Sequence, residues 1–284
     1  MAIVIDAIQM CKEKKETQSN DVRKICGFIG KKPELVIINA SENDGSSRYI
    51  KNKVRECDDV GIGTRVVNLG KECTTDDILK LIDSCKNDCT PLIVQLPIYE
   101  HLDLDTILNA ITPEIDADGF TSKWIGDVSL GKGDNIAPAT PKGVMELLKF
   151  HNVELKGRVA LVIGRSNHVG KPLVNMLINK GATVFCANSK TENLDKLISM
   201  SDVVISCVGK QGLIKSKNIK HSSVIIGVGF TYIDGKQILD FDLEDIKNSN
   251  ASLVSNRVNC TGKATVNMLI DNVIELYKLN HRIC

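Results

Sequence analysis

Short apolar, β-branched runs alternate with helix-period segments from one end of the chain to the other, and no other feature restricts its fold so strongly. "ELVIINA" precedes a helical pattern from about Ser47 to Asp59, "TRVVNLG" precedes "TTDDILKLIDSC", and "PLIVQLP" precedes "DLDTILNAI". An irregular stretch from Thr112 to Ala137 gives way to a helix from Thr140 to His151. Strands at Val159 to Ile163 and "ATVFCA" then flank a helix from about Gly170 to Lys180, "DVVISCVG" and "SVIIGVG" follow, and a helix from about Lys263 to Leu279 closes the chain. A strand that is apolar on consecutive residues is buried on both faces, and the helix after each strand supplies the cover. The expected class is therefore α/β with parallel sheets. Two strand series separated by a loop and a helix predict two lobes with a cleft between them, where α/β proteins hold ligands.

With 284 residues, of which 43% are hydrophobic, both lobes can have a core. A formal net charge of +1 argues against nucleic acid or an anionic membrane as partner, because both demand clustered excess Lys and Arg. Small molecules are the expected ligands. No apolar run reaches the 18 or so residues of a membrane span, and "MAIVIDAIQMCKEKKE" carries its basic residues after the apolar stretch, the reverse of a signal peptide. A cytoplasmic protein is expected. The ten cysteines are scattered without a C-x-x-C, and the five histidines show no H-E-x-x-H, so neither a metal site nor a disulfide framework is expected.

"VALVIGRSNHVGKP", residues 159 to 172, runs from a strand through a glycine turn into a helix. It is not a Walker A loop: five residues separate Gly164 from Gly170, and Pro172 follows Lys171 where a Ser or Thr is needed. A literal G-x-G-x-x-G also fails, because Ser166 holds the second glycine's place. The strand-turn-helix-strand context of a dinucleotide site is nevertheless present, with an ordinary connection that binds nothing as the alternative. NAD sites place an acid about 20 residues on, to accept from the ribose hydroxyls. Here "ANSKT" offers none before Glu192, and Arg165 in the turn can grip a phosphate with two hydrogen bonds. NADP is favoured over NAD.

Tyr49 and Lys53 are four apart and share a helix face. A half-buried lysine beside a tyrosine can serve as an acid-base unit, although the same spacing arises on any exposed amphipathic helix. Gln95 in "VQLP" ends a buried strand and can accept from an ammonium there; a turn glutamine bonded to backbone is the plainer reading. In "DADGF", Asp116 and Asp118 precede Gly119, and each is either a turn-former or a grip for an amidine-like N–H pair.

In order along the chain, "YIKNK", "VQLP", "DADGF", "PATPKGVMELL", "GRSNHVGKPL", "NSKT" and "SDVVISCVGK" resemble the methylenetetrahydrofolate dehydrogenase/cyclohydrolase family, over roughly Pro33 to Tyr277. The resemblance implies an N-terminal folate-binding lobe over 1–138, completed by a last helix at 264–284 that packs back on it. A Rossmann-like NADP-binding lobe would span 139–263. It implies oxidation of 5,10-methylenetetrahydrofolate with NADP, then hydrolysis of the methenyl product to 10-formyltetrahydrofolate, by a cytoplasmic homodimer. Lys53 would be the acid-base residue, with Tyr49 beside it, Gln95 holding the lysine, and Asp118 gripping the amino-pyrimidine edge. Val94 and Leu96 would also touch the folate, while Gly164, Arg165, Ser166, Ser189 and Phe230 would bind the cofactor. The helix N-terminus near Gly170 would turn unpaired N–H groups to the pyrophosphate.

The chain departs from the family pattern before the last helix. "NRVNCTGKAT" replaces a Pro-Gly-Gly-Val-Gly-Pro loop, keeping Gly262 and Thr265, and so loses two adjacent glycines. Further departures are Ile115 for Lys, Ala139 for Cys, Asn188 for His, Gly227 for Asp, and "LDFD" for Gly-Asp-Val-Asp. A binding protein with little turnover and a dehydrogenase-only enzyme are the alternatives these changes leave open.

Overall fold

The computed structural model describes residues 1–133, 135–233, 236–256 and 258–283. In chain order the elements are β1 (Ile3–Ile5), α1 (Ile8–Ile29), β2 (Glu34–Asn39), α2 (Asp44–Val60), β3 (Gly63–Asn68), α3 (Thr75–Asp88), β4 (Leu92–Gln95), α4 (Leu104–Ala110), α5 (Ser122–Ser129) and α6 (Ala139–Phe150). They continue with β5 (Val159–Ile163), α7 (Gly170–Asn179), β6 (Thr183–Ala187), α8 (Leu194–Met200), β7 (Val203–Ser206), β8 (Val224–Gly227), β9 (Phe230–Ile233), β10 (Lys236–Leu239), α9 (Leu243–Lys247), β11 (Leu253–Ser255) and α10 (Thr261–His281). The chain divides into two compact units. One comprises Lys12–Asp127, Gly133–Ala139 and Val266–Cys284, the other Met1–Cys11, Val128–Lys132 and Thr140–Thr265.

The first unit is built on a parallel sheet of order β3-β2-β4. Successive residues of β2 point to opposite faces, and both faces are apolar. Leu35 and Ile37 join one core cluster with Ile50 and Cys57 of α2, while Val36 and Ile38 join another with Ile78, Ile82 and Ile107. The last helix closes the first of these clusters through Met268, Leu269, Val273, Ile274 and Tyr277. Its attachment is also polar: the Tyr277 hydroxyl accepts from Glu34 N at 2.9 Å and donates to Glu34 O at 3.2 Å. The expected return of the last helix to the N-terminal sheet is what the structure has.

The second unit carries a parallel sheet of order β1-β11-β8-β7-β5-β6 and an antiparallel hairpin of β9 and β10. The α/β class and the Rossmann-like C-terminal lobe hold. The compact units depart from the expected 1–138 boundary at Met1–Cys11 and at Val128–Lys132, both of which fall in the second unit. β1 pairs in parallel with β11, Ile3 opposite Leu253, so Met1–Cys11 belongs with the second unit. A three-residue strand has too little pattern to reveal its partner, and the free edge of β11 satisfies its backbone. The helix α1 is an element the alternation did not announce, and the irregular stretch before residue 137 contains α5.

Candidate active site

The helix α2 is set by its caps. The Asn43 side chain accepts from Gly45 N and Ser46 N, and Gly61 ends the helix at φ 95, where a left-handed turn is needed. Tyr49 and Lys53 lie one turn apart on it. Tyr49 is half-buried and Lys53 only 9% exposed. The Lys53 ammonium donates to Gln95 Oε1 at 3.0 Å, at the carboxyl end of β4. Gln95 Nε2 donates in turn to the Leu96 carbonyl at 2.8 Å, which orients the amide oxygen toward the lysine. Burial pushes the Lys53 pKa down, and the Asp118 charge opposes it in part. Val94, next to Gln95, is buried, and Leu96 is half-buried.

The two carboxylates of "DADGF" part company. Asp116 is 2% exposed and accepts from Gly119 N at 2.9 Å and Thr121 N at 2.7 Å, so it is the turn-former. Asp118 is half-buried, and its pKa is raised to about 6, chiefly by desolvation; Lys53 opposes the rise and Asp116 adds to it. Gly119 has φ 75, and a Cβ there would lie 2.5 Å from the Ala137 carbonyl carbon, so no side chain fits the turn. Sequence reasoning missed the residue that fastens this turn. Asn272 of α10, fully buried, donates through Nδ2 to Ala117 O at 2.9 Å and Ala137 O at 2.8 Å. A polar residue in the apolar face of the last helix was the available signal.

In the second unit the glycine turn is as tight as a dinucleotide cradle requires. Gly164 has φ 120, and a Cβ on it would lie 3.2 Å from Cys207 Cβ. A Cβ on Gly170 would meet the Gly164 carbonyl oxygen at 2.1 Å, so helix α7 starts directly against the turn. Both glycines are thus required by the packing of strand, turn and helix against one another and against Cys207. Arg165, Ser166 and Ser189 are exposed, and Phe230, at the start of β9, is half-buried. One expectation is corrected: the N–H groups of Gly170 and Lys171 are engaged, the first with Ser166 Oγ at 3.3 Å and the second with Ser166 O at 3.0 Å. A serine in the turn can cap the helix that follows, as a glycine cannot.

Most departures from the family pattern are accommodated locally. A Cβ on Gly227 would lie 3.0 Å from the Phe241 ring, so the bulk missing at one position is supplied by the phenylalanine of "LDFD". Ile115 is fully buried and Ala139 nearly so, each in a core cluster. Asn188 accepts from Lys190 N at 2.9 Å and shapes its own turn. With Gly262 kept, the two lost glycines fall at Asn259 and Cys260. Asn259 holds φ 56, the left-handed region that asparagine tolerates best after glycine, and Cys260 is 2% exposed. Of this stretch, Arg257 lies outside the described residues. Among the described residues no His, Cys, Asp or Glu group is placed to hold a metal ion, and no helix is long and apolar enough to cross a membrane.

Two family models match the chain. "Tetrahydrofolate dehydrogenase/cyclohydrolase, catalytic domain" covers residues 5–118, and "Tetrahydrofolate dehydrogenase/cyclohydrolase, NAD(P)-binding domain" covers residues 138–281. Bifunctional protein FolD of Mycoplasma mycoides subsp. mycoides is 35% identical over 283 residues, 98% of this chain and 97% of the relative. The crystal structure of the bifunctional enzyme FolD from Campylobacter jejuni superposes with a TM-score of 0.93 at 30% identity, covering 99% of this chain and 100% of that one. The Trypanosoma brucei FolD, complexed with NADP cofactor and inhibitor, has a TM-score of 0.93 at 26% identity, covering 99% of each chain.

Proposed function

The chain belongs to the tetrahydrofolate dehydrogenase/cyclohydrolase family, and on that premise we propose how its residues divide the work of two reactions. The enzyme oxidises 5,10-methylenetetrahydrofolate to the 5,10-methenyl form with NADP, then hydrolyses that product to 10-formyltetrahydrofolate. NADP, when bound, accepts the hydride. The donor carbon lies between two nitrogens whose lone pairs stabilise the cation left behind. That step consequently needs positioning more than proton transfer.

Positioning of the folate falls to Asp118, ionised above about pH 6, which grips the amino-pyrimidine edge with two hydrogen bonds while Tyr49, Val94 and Leu96 line the ring. The turn of Gly164, Arg165 and Ser166, with Ser189 and Phe230, holds the cofactor, and Arg165 reads its 2′-phosphate.

Hydrolysis needs a base and then an acid. Water adds to the methenyl carbon, a proton leaves that water, and the carbon–nitrogen bond to N5 breaks as N5 gains a proton. Lys53 carries the first proton from the water to N5, and the water's second proton leaves the hydroxyl oxygen for solvent as the formyl C=O forms. A lysine of ordinary pKa is protonated near neutrality and has no lone pair with which to take that first proton. The observation that carries the reading is the buried Lys53, lowered in pKa by desolvation and held at 3.0 Å by Gln95. We further propose a cytoplasmic homodimer, which rests on the family alone. Mixing purified protein with methylenetetrahydrofolate and NADP, and following the methenyl species by absorbance, tests the whole. Transient methenyl absorbance that decays faster than spontaneous hydrolysis is expected; its stable accumulation would mean a dehydrogenase alone.

A further inference from the structure

Asp240, between β10 and α9, is fully buried, and neither reaction step uses it. Its Oδ2 accepts from Val208 N at 3.0 Å and from the Ser206 hydroxyl, and its Oδ1 accepts from Lys210 N at 2.5 Å. Donors from one short segment, 206–210, thus converge on a single carboxylate. A carboxylate accepts only, which suits a site where every neighbour donates.

That segment occupies a particular place. Cys207 N donates to Ile163 O at 2.8 Å, beside the Gly164 turn. On the other side Gly209, at φ 75, runs so close to β9 that a Cβ on it would lie 2.8 Å from the Phe230 carbonyl oxygen. A Cβ on Gly229 would lie 2.4 Å from Val208 N. The segment is therefore wedged between Gly164 and Phe230, both assigned above to the cofactor. In the sheet, β5 has β6 on one side and β7 on the other. A doubly wound sheet takes the adenosine half over the strand that follows the glycine turn, here β6 with Ser189 just beyond it, and the other half across the switch point. The far side is the end of β7, which is the 206–210 segment.

We propose that Asp240 is a positioning residue for the nicotinamide half of NADP: its carboxylate fixes the 206–210 backbone as the wall that this half rests against. The inference rests on the NADP-dehydrogenase reading. In Asp240→Asn the amide can present an N–H where a backbone N–H needs an acceptor, so the wall loosens while the adenosine side keeps its shape.

Calorimetric titration of the full chain with NADP and with 2′,5′-ADP, which carries only the adenosine half, separates the possibilities. Asp240→Asn should weaken NADP about tenfold or more and leave 2′,5′-ADP within about twofold. Retained 2′,5′-ADP affinity also reports that the unit is folded. Equal losses for both ligands, or unchanged NADP affinity, overturn the proposal. Should Asp240→Asn fail to fold, Ser206→Ala removes one donor and keeps the backbone bonds; it should shift the ratio of the two affinities in the same direction, and an unchanged ratio overturns the proposal. Failure of the wild type to bind either ligand would instead sink the NADP reading beneath it.

Discussion

Lys53 and Gln95 meet at 3.0 Å, and Gln95 can accept there because its own N–H is spent on the Leu96 carbonyl at 2.8 Å. The ammonium is thereby held at the carboxyl end of β4. Replacing the lysine with Met keeps the buried stem and removes the proton carrier. Lys53→Met should lower methenyltetrahydrofolate hydrolysis by roughly 10²- to 10⁴-fold while hydride transfer partly survives. Hydrolysis well above the spontaneous rate in this variant would show that another group carries the proton.

Asp118 titrates at about 6, against 3.8 for an ordinary aspartate, because burial disfavours its charge. The ionised form is the one that accepts from the pterin, so kcat/KM for folate should fall as pH drops through about 6. Asp118→Asn should raise the folate KM, flatten that acid limb and leave NADP affinity nearly unchanged. The sign for stability is opposite. The folded state holds this proton more tightly than the unfolded chain, so the group favours folding below about 3.8, and that contribution is lost as pH rises through about 6. The Tm of Asp118→Asn relative to wild type should therefore be higher at pH 7.5 than at pH 5; the reverse order would show that pairing with Lys53, not burial, sets the titration.

Arg165 is exposed in the glycine turn, free of the core. If it reads the 2′-phosphate, Arg165→Ala removes a charge-assisted contact of about 1.5 to 3 kcal/mol, roughly 10- to 150-fold in NADP affinity. NAD affinity should barely move. Calorimetry with both nucleotides decides, and parallel losses would mean that the turn holds the cofactor without reading the phosphate.

Asn259 keeps φ 56 where the family pattern has glycine. Asn259→Gly should leave stability within about 0.5 kcal/mol, since glycine adopts this region freely. Asn259→Val should cost about 2 kcal/mol, because the left-handed region costs an ordinary side chain 1–2 and a β-branched one more. Urea unfolding of the pair measures the difference; equal stabilities would show that the loop relaxes to another conformation.

The candidate site was legible to the extent that its residues announce themselves locally. Tyr49 and Lys53 share a face by spacing, Gln95 ends an apolar run, and Gly164 sits where a strand turns into a helix. Asp116 and Asp118 could not be told apart this way, since both are acids in one turn. Only the folded turn, with Gly119 N and Thr121 N aimed at Asp116, leaves the second carboxylate to respond to Lys53. The roles of Asn272 and Asp240 could not be read for a related reason: each acts on backbone that is distant in sequence, Asn272 on Ala117 and Ala137 and Asp240 on the segment after β7.

The sequence by itself determined the class, because strand and helix periods and the burial of consecutive residues are properties of neighbours along the chain. It also singled out the side chains proposed above to hold folate and a dinucleotide. Tertiary structure decided where β1 belongs, because a three-residue strand takes whichever edge lies open, and here β11 offers it. It decided that Phe241 stands against Gly227, so that two departures from the family pattern answer each other. Such outcomes depend on which segments meet, and for a hydrogen bond across more than a hundred residues of chain, as between Asn272 and Ala137, a polar residue in an apolar helix face marks the break in pattern without naming the partner.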